Sequence, residues 1–304
     1  MKLHLKKKLP LKIKEPVQSI AVSCDGEWII LAQNSNESGK PNITLWATGS
    51  GKFAAGFQTE IYTSVWAASP FNKSNKLLFP LTFESLGIGE IPKGQVINGI
   101  IPAEDVRSIS IDNNDELALI AGRTLFIWSL NESKPVLFFN EDRYVGDGIF
   151  PTPPLACWLN GNIVLAGENI EAGIYTAKGR LIHELKNSPK RITTLSANNN
   201  LSLIGMISYP DQKLEFWNEK GEKVLTDFSS NYGNLISSFT IQQPYLICGT
   251  PVGKLLLFDL KKGEKLDAIE AHAGATTCIA CDAKGGIFSG GEDGKMTFCS
   301  ISKS

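Results

Sequence analysis

A chain of 304 residues with 42% hydrophobic side chains holds enough apolar material for a large buried core. Its formal charge of −1 excludes the global basic footprint of a nucleic-acid or anionic-membrane binder. No run of 18 apolar residues is present, so no membrane span is expected, and no apolar stretch follows the N-terminal lysines as a secretory signal requires. The five Asn-x-Ser/Thr sequons, such as Asn42-Ile43-Thr44, are therefore read as coincidences of composition.

The first element expected is a strand over residues 2–13. Leu3, Leu5, Leu9, Leu11 and Ile13 alternate there with His4, Lys6, Lys8, Lys12 and Lys14, giving one apolar side. The chain then repeats itself at intervals of about 40 to 48 residues. The aligned openings are Val17-Gln18-Ser19-Ile20, Tyr62-Thr63-Ser64-Val65, Val106-Arg107-Ser108-Ile109, Pro154-Leu155-Ala156-Cys157, Ile192-Thr193-Thr194-Leu195, Ile236-Ser237-Ser238-Phe239 and Thr276-Thr277-Cys278-Ile279. Each opens a strand of period two and leads to a polar turn, such as Cys24-Asp25-Gly26-Glu27, Asn113-Asn114-Asp115 or Asn198-Asn199-Asn200. Nearly continuous apolar runs follow at Trp28 to Ala32, Leu117 to Ala121, Ile163 to Ala166, Leu201 to Ile204 and Tyr245 to Cys248. Such runs predict strands buried on both faces. A third strand and a Gly/Lys/Asn-rich hairpin lead to a fourth strand, the turn residues being those that tolerate positive φ. No segment keeps helical spacing of apolar residues over three turns. A repeat of this length built from short strands is the signature of propeller blades.

The third strands carry a family resemblance. Ile43-Thr44-Leu45-Trp46, Leu125-Phe126-Ile127-Trp128 and Leu214-Glu215-Phe216-Trp217 resemble the end of a WD40 repeat, and Tyr175, Phe258 and Cys299 fall at the same place in other units. Asp259 follows an aromatic there, as in the family's signature, whereas the unit over about 59–103 has no clear aromatic at that place. In the last unit, Ala271-His272 and Ser289-Gly290-Gly291-Glu292-Asp293-Gly294 resemble the family's Gly-His and Ser-Gly-x-x-Asp-Gly elements. The resemblance implies an all-β fold, a seven-bladed β-propeller of four-stranded antiparallel blades in one domain spanning 1–304. The blades are expected at about 15–58, 59–103, 104–143, 144–190, 191–230, 231–274 and 275–304 plus 2–13. The last unit stops after its third strand, at Lys295 to Ile301. The N-terminal strand is expected to complete that blade and close the ring.

Chemical motifs are few. The six cysteines are read as buried thiols, which favours a reducing, cytoplasmic setting. Cys278 and Cys281 form a Cys-x-x-Cys, but residues three apart on a strand point to opposite faces and cannot close on one ion. Thr48-Gly49-Ser50-Gly51-Lys52 is read as a hairpin turn, since a phosphate loop needs glycine where Trp46 stands. Of the three histidines, His4 and His183 fall on predicted outer strands. His272 with Ser289 and Asp293 invites a hydrolase reading. The resemblance implies instead a hydrogen-bonded structural network bracing the blade, with Cys299 in place of the tryptophan that normally ends it. No catalytic, cofactor-binding or metal-binding residue is assigned, no cofactor is expected, and the protein is expected not to be an enzyme.

Blade faces bury one another, so specificity is left to loops and rims. The resemblance implies a partner site on the face shared by the loops joining one unit to the next and those between second and third strands. Candidate partner-binding residues are Arg107, Arg143, Tyr144, Phe150, Tyr209 and Tyr232, because Tyr and Arg combine large area with a polar tip. The competing reading is that Tyr144 and Phe150 only pin the long segment 140–153 onto the blades. The expected function is that of a scaffold or adaptor binding a protein or peptide partner, as a subunit of a hetero-complex. One alternative places small-molecule binding or catalysis in the central channel, where the openings offer Gln18, Thr63, Arg107, Thr193, Ser237 and Thr277. Another places nucleic acid or anionic lipid on Lys6, Lys7, Lys8, Lys12 and Lys14. Lysines also guard exposed sheet edges, and nucleic acid is not the expected partner.

Overall fold

The computed structural model describes residues 1–10, 15–33, 40–59, 67–139, 154–167, 170–225 and 235–302. After β1 (Lys2–Pro10), the strands come in groups of four. The first group is β2 (Val17–Val22), β3 (Trp28–Gln33), β4 (Ile43–Ala47) and β5 (Phe53–Phe57); the second is β6 (Ser69–Pro70), β7 (Lys76–Thr82), β8 (Ser85–Glu90) and β9 (Gln95–Pro102). The third is β10 (Ser108–Ile111), β11 (Leu117–Ala121), β12 (Leu125–Ser129) and β13 (Lys134–Phe138). The fourth is β14 (Leu155–Leu159), β15 (Asn162–Gly167), β16 (Ile170–Tyr175) and β17 (Leu181–Glu184). The fifth is β18 (Ile192–Asn198), β19 (Leu203–Ser208), β20 (Leu214–Asn218) and β21 (Lys223–Leu225). The sixth is β22 (Ser238–Gln242), β23 (Tyr245–Gly249), β24 (Lys254–Asp259) and β25 (Lys265–Glu270). Last come β26 (Thr276–Cys281), β27 (Gly286–Gly291) and β28 (Lys295–Ser302). Each group is one sheet paired in chain order, so among the described residues there are seven four-stranded antiparallel blades and the fold is an all-β propeller.

The seventh sheet has the order β1-β28-β27-β26, so the N-terminal strand completes the last blade. Lys2 pairs with Ser302 and Pro10 with Lys295, with a register shift between Leu5 and Lys7. Leu3 is buried and its N–H donates to Asp267 Oδ2 at 2.7 Å, while Leu5 is exposed. The alternation expected over residues 2–13 thus holds its apolar side only in part. Residues 11–14, with Lys12 and Lys14, lie outside the described residues.

The chain divides into two compact units. The first, Met1–Thr82, Gly87–Asn98 and Asn234–Ser304, holds the blades β2–β5, β22–β25 and β26–β28 with β1. Alternation along β3 decides its packing. Ile29 and Leu31 enter one cluster with Val17, Trp46, Phe288 and Met296, whereas Ile30 and Ala32 enter another with Leu45, Phe57, Leu77 and Phe79. Successive side chains of a strand face opposite ways, so an unbroken apolar run serves two cores at once. The second unit, Phe83–Leu86 and Gly99–Gly233, repeats this logic. Ile163 and Leu165 pack with Leu119, Ile127 and Trp158, while Val164 and Ala166 pack with Met206 and Trp217. Each such fully buried aliphatic side chain contributes about 1.5–3 kcal/mol.

One apolar run starts later than expected. Leu201 closes a single 3₁₀ turn, Asn199–Leu201, and β19 begins at Leu203. The Asn198 side chain accepts from the Leu201 N–H at 3.1 Å, and Ser202 takes left-handed φ of 48°. Local side-chain capping therefore outcompetes strand formation for one turn. No helix among the described residues is long and apolar enough to cross a membrane.

Candidate functional site

In each meander, the connection into the first strand and the hairpin between second and third strands emerge at one end, here the crossover end; the two other hairpins emerge at the hairpin end. Arg107 lies at a crossover end, just before β10. Its N–H donates to Ala121 O at 2.8 Å, and its Nε stands 3.3 Å from Asp105 Oδ1, with the side chain one-third exposed. Tyr209 lies at a crossover end too, in the β19–β20 hairpin, and is 54% exposed. Its N–H donates to Arg191 O, which ties down the backbone and leaves the ring free to present. Arg143, Tyr144 and Phe150, in the segment 140–153, and Tyr232 lie outside the described residues.

His272, Ser289 and Asp293 meet at the crossover end of the last blade. His272 Nδ1 is 3.0 Å from Asp293 Oδ1, and Nε2 is 2.9 Å from Ser289 Oγ. A carboxylate only accepts, so Nδ1 carries the hydrogen that meets Asp293, while Nε2 and the Ser289 hydroxyl share the second hydrogen bond. Thr297 Oγ1 lies 2.5 Å from Ser289 Oγ and ends the chain of hydroxyls. Burial works against ionisation of Asp293, but the Ala273 N–H at 3.1 Å from Oδ2 and the contact to His272 outweigh it, holding the carboxyl below its ordinary value. The distances are those of a Ser-His-Asp triad, but Ser289 and Thr297 are both fully buried. The Ser289 oxygen faces protein on every side and offers no approach for a substrate carbonyl.

Gly291 makes this packing possible: a Cβ there would run into the His272 ring and stand 2.8 Å from Asp293 Oδ1. Thr297 was not legible as a member of the network. Its signal is positional, since it stands two residues before Cys299 as Thr44 stands two before Trp46, and Thr44 Oγ1 accepts from Trp46 Nε1 at 2.9 Å.

The small polar residues of the strand openings also have a role that their sequence alone does not reveal. Ser108 Oγ donates to Ala156 O at 2.7 Å, Ser237 and Ser238 both donate to Thr276 O, and Thr277 Oγ1 donates to Val17 O. Each hydroxyl binds the next blade's first strand. Ser237 and Thr277, two of the residues on which channel chemistry could draw, are engaged in this way.

The Cys-x-x-Cys pair is split by its strand. Cys278 packs with Val17, Phe288 and Met296, whereas Cys281 packs with Ile247, Leu257 and Ile287 in a different core. Burial pushes the thiols of Cys157, Cys278 and Cys281 up to about 12 and raises that of Cys248 as well. Cys24 departs from the expectation of buried thiols: it is exposed, in the β2–β3 turn, with Sγ 3.3 Å from Asn75 Oδ1. Thr48 to Lys52 close the β4–β5 hairpin, with Gly51 N–H donating to Ala47 O at 2.7 Å. On β1, Lys2, His4 and Lys6 are exposed, and His183 is exposed on the outer strand β17. Among the described residues no group of three or more His, Cys, Asp or Glu is placed to hold a metal ion.

Repeated four-stranded blades, third strands ending in Trp46, Trp128 and Trp217, and a His–Ser–Thr–Asp brace define a propeller built from repeats. No family model matches the chain. Over 152 residues, 46% of its length, it is 25% identical to the WD repeat-containing protein 3 homolog of Dictyostelium discoideum; over 112 residues, 36% of its length, it is 29% identical to the WD repeat-containing protein 3 of Homo sapiens. The matched parts span 16% and 11% of those relatives. Together with the blades, this similarity supports a WD40-repeat β-propeller and leaves the subfamily open.

Proposed function

We propose that this protein is a non-catalytic interaction module, a scaffold or adaptor that binds a protein or peptide partner through the crossover ends of its blades as a subunit of a larger cytoplasmic assembly. The observation that carries the reading is Tyr209: a large aromatic, 54% exposed, on a backbone held by hydrogen bonding at a crossover end. A presented aromatic on a rigid frame loses little conformational entropy on binding, which is the property of an interface anchor. Arg107, at a crossover end of the same compact unit, adds a one-third exposed cation. Burial of Ser289 and Thr297 supports the non-catalytic half of the reading, since it closes off the hydroxyls beside His272.

Affinity capture from the native cytoplasm tests the proposal, wild type beside Arg107→Glu/Tyr209→Ala. Partners retained by the wild type and lost by a variant with unchanged thermal unfolding support it. Equal recovery by both proteins moves the site away from the crossover ends.

A further inference from the structure

The hairpin end of the last blade carries a cleft of about 600 Å³, built from the β26–β27 turn, the β22–β23 turn and the ends of β28 and β4. It lies at the other end of that blade from the His272 network. Its polar groups are unequally satisfied. Asp282 Oδ1 accepts the N–H groups of Lys284 and Gly286 at 2.9 and 2.7 Å and so holds the turn together, while Oδ2 has no donor among the described residues. Gln242 is tied only by one long hydrogen bond, from Nε2 to Asp282 O at 3.4 Å, and its Oε1 is buried without a donor. The ammonium of the cleft's lysine, Lys284, makes its close contact with Glu27, at 2.9 Å, and acts on Asp282 only through Coulombic attraction, with no hydrogen bond to it. Tyr245 and half-buried Phe298, the latter stacked on Phe288 with ring centroids 5.0 Å apart, supply aromatic surface.

We propose that this cleft binds the guanidinium side chain of an arginine in a peptide. A carboxylate oxygen and an amide oxygen, both lacking donors, call for a ligand with several N–H groups in one plane, and the aromatic rings favour a flat, weakly hydrated cation. Guanidinium meets all three demands; an ammonium is a strongly hydrated point charge that matches the fork less well. Binding draws the Gln242 amide out of its poorly satisfied position onto a ligand N–H. The cleft shares no residue with the proposed partner surface, so either can fail without the other.

An NMR titration of the ¹⁵N-labelled full chain with N-acetyl-arginine N-methylamide tests this, with the lysine and leucine analogues as comparators. The arginine probe is expected to shift the amides of Lys284 to Gly286 and the Gln242 side-chain NH₂ saturably, several-fold more tightly than the lysine probe. The leucine probe leaves them in place. Gln242→Met weakens binding about tenfold, and Asp282→Asn, which retains the acceptor that closes the turn, abolishes saturation. Equal shifts from the leucine probe, equal affinity for lysine, or arginine binding unchanged in both variants would overturn the proposal.

Discussion

The two ends of the last blade use similar polar residues to opposite effect. At the crossover end, His272, Ser289, Thr297 and Asp293 form one connected network in which each side chain meets another. At the hairpin end, Asp282 and Gln242 keep acceptors that nothing in the described protein answers. A buried polar network that is complete braces the fold, because breaking any member strands the others away from water. Groups that are only partly met beside a cleft keep acceptors that a ligand can take up. The difference lies in satisfaction rather than composition.

The contrast predicts a large effect at one end and almost none at the other. His272→Ala strands Ser289 and Asp293 and opens a cavity, and is expected to destabilise the protein by about 3 kcal/mol, read from urea unfolding. Gly291→Ala, which pushes a methyl group toward the ring, follows at about 2 kcal/mol. A network that tolerates both changes would not be a brace.

Acid separates the ends next. The folded-state pKa of Asp293 is depressed, so its contribution is present above the unfolded value of 3.8 and is lost as pH falls through the lower folded value. The stability difference between wild type and Asp293→Asn should therefore be constant from neutral pH to about 5 and shrink below about 4. A difference independent of pH over that range would remove the ionised carboxylate from the network. At the hairpin end, Glu27→Gln breaks the solvated pair to Lys284 and is expected to leave the unfolding midpoint within error. A clear loss there would make that end structural as well.

The blades themselves were legible because strand patterning is local. Period-two openings, polar turns and unbroken apolar runs identify a double-faced strand from a handful of neighbours, as at Trp28 to Ala32, now β3 with its residues divided between two cores. The missing fourth strand of the last unit pointed to β1, and the pairing of Leu3 with Ile301 meets it. Local reading failed where a side chain competed for the backbone. Asn198 capped a 3₁₀ turn and delayed β19 to Leu203, although Leu201 to Ile204 looks like strand throughout. It also failed at Cys24, whose turn leaves the thiol at the surface.

The candidate residues divide along the same line. His272, Ser289 and Asp293 could be grouped through the family resemblance of the last unit, but Thr297 could not, nor could the bonds from Ser108 to Ala156 and from Thr277 to Val17. Asp282 and Gln242 carry no motif that singles them out in the sequence. By itself, the sequence determined the all-β blades, their repetition and the strand that completes the last one, because hydrophobic periodicity and turn chemistry act between residues close along the chain. Only the tertiary structure decided which polar groups are answered and which are left over. Hydrogen-bond satisfaction depends on positions good to a few tenths of an ångström between residues far apart in sequence, and no local pattern encodes that distance.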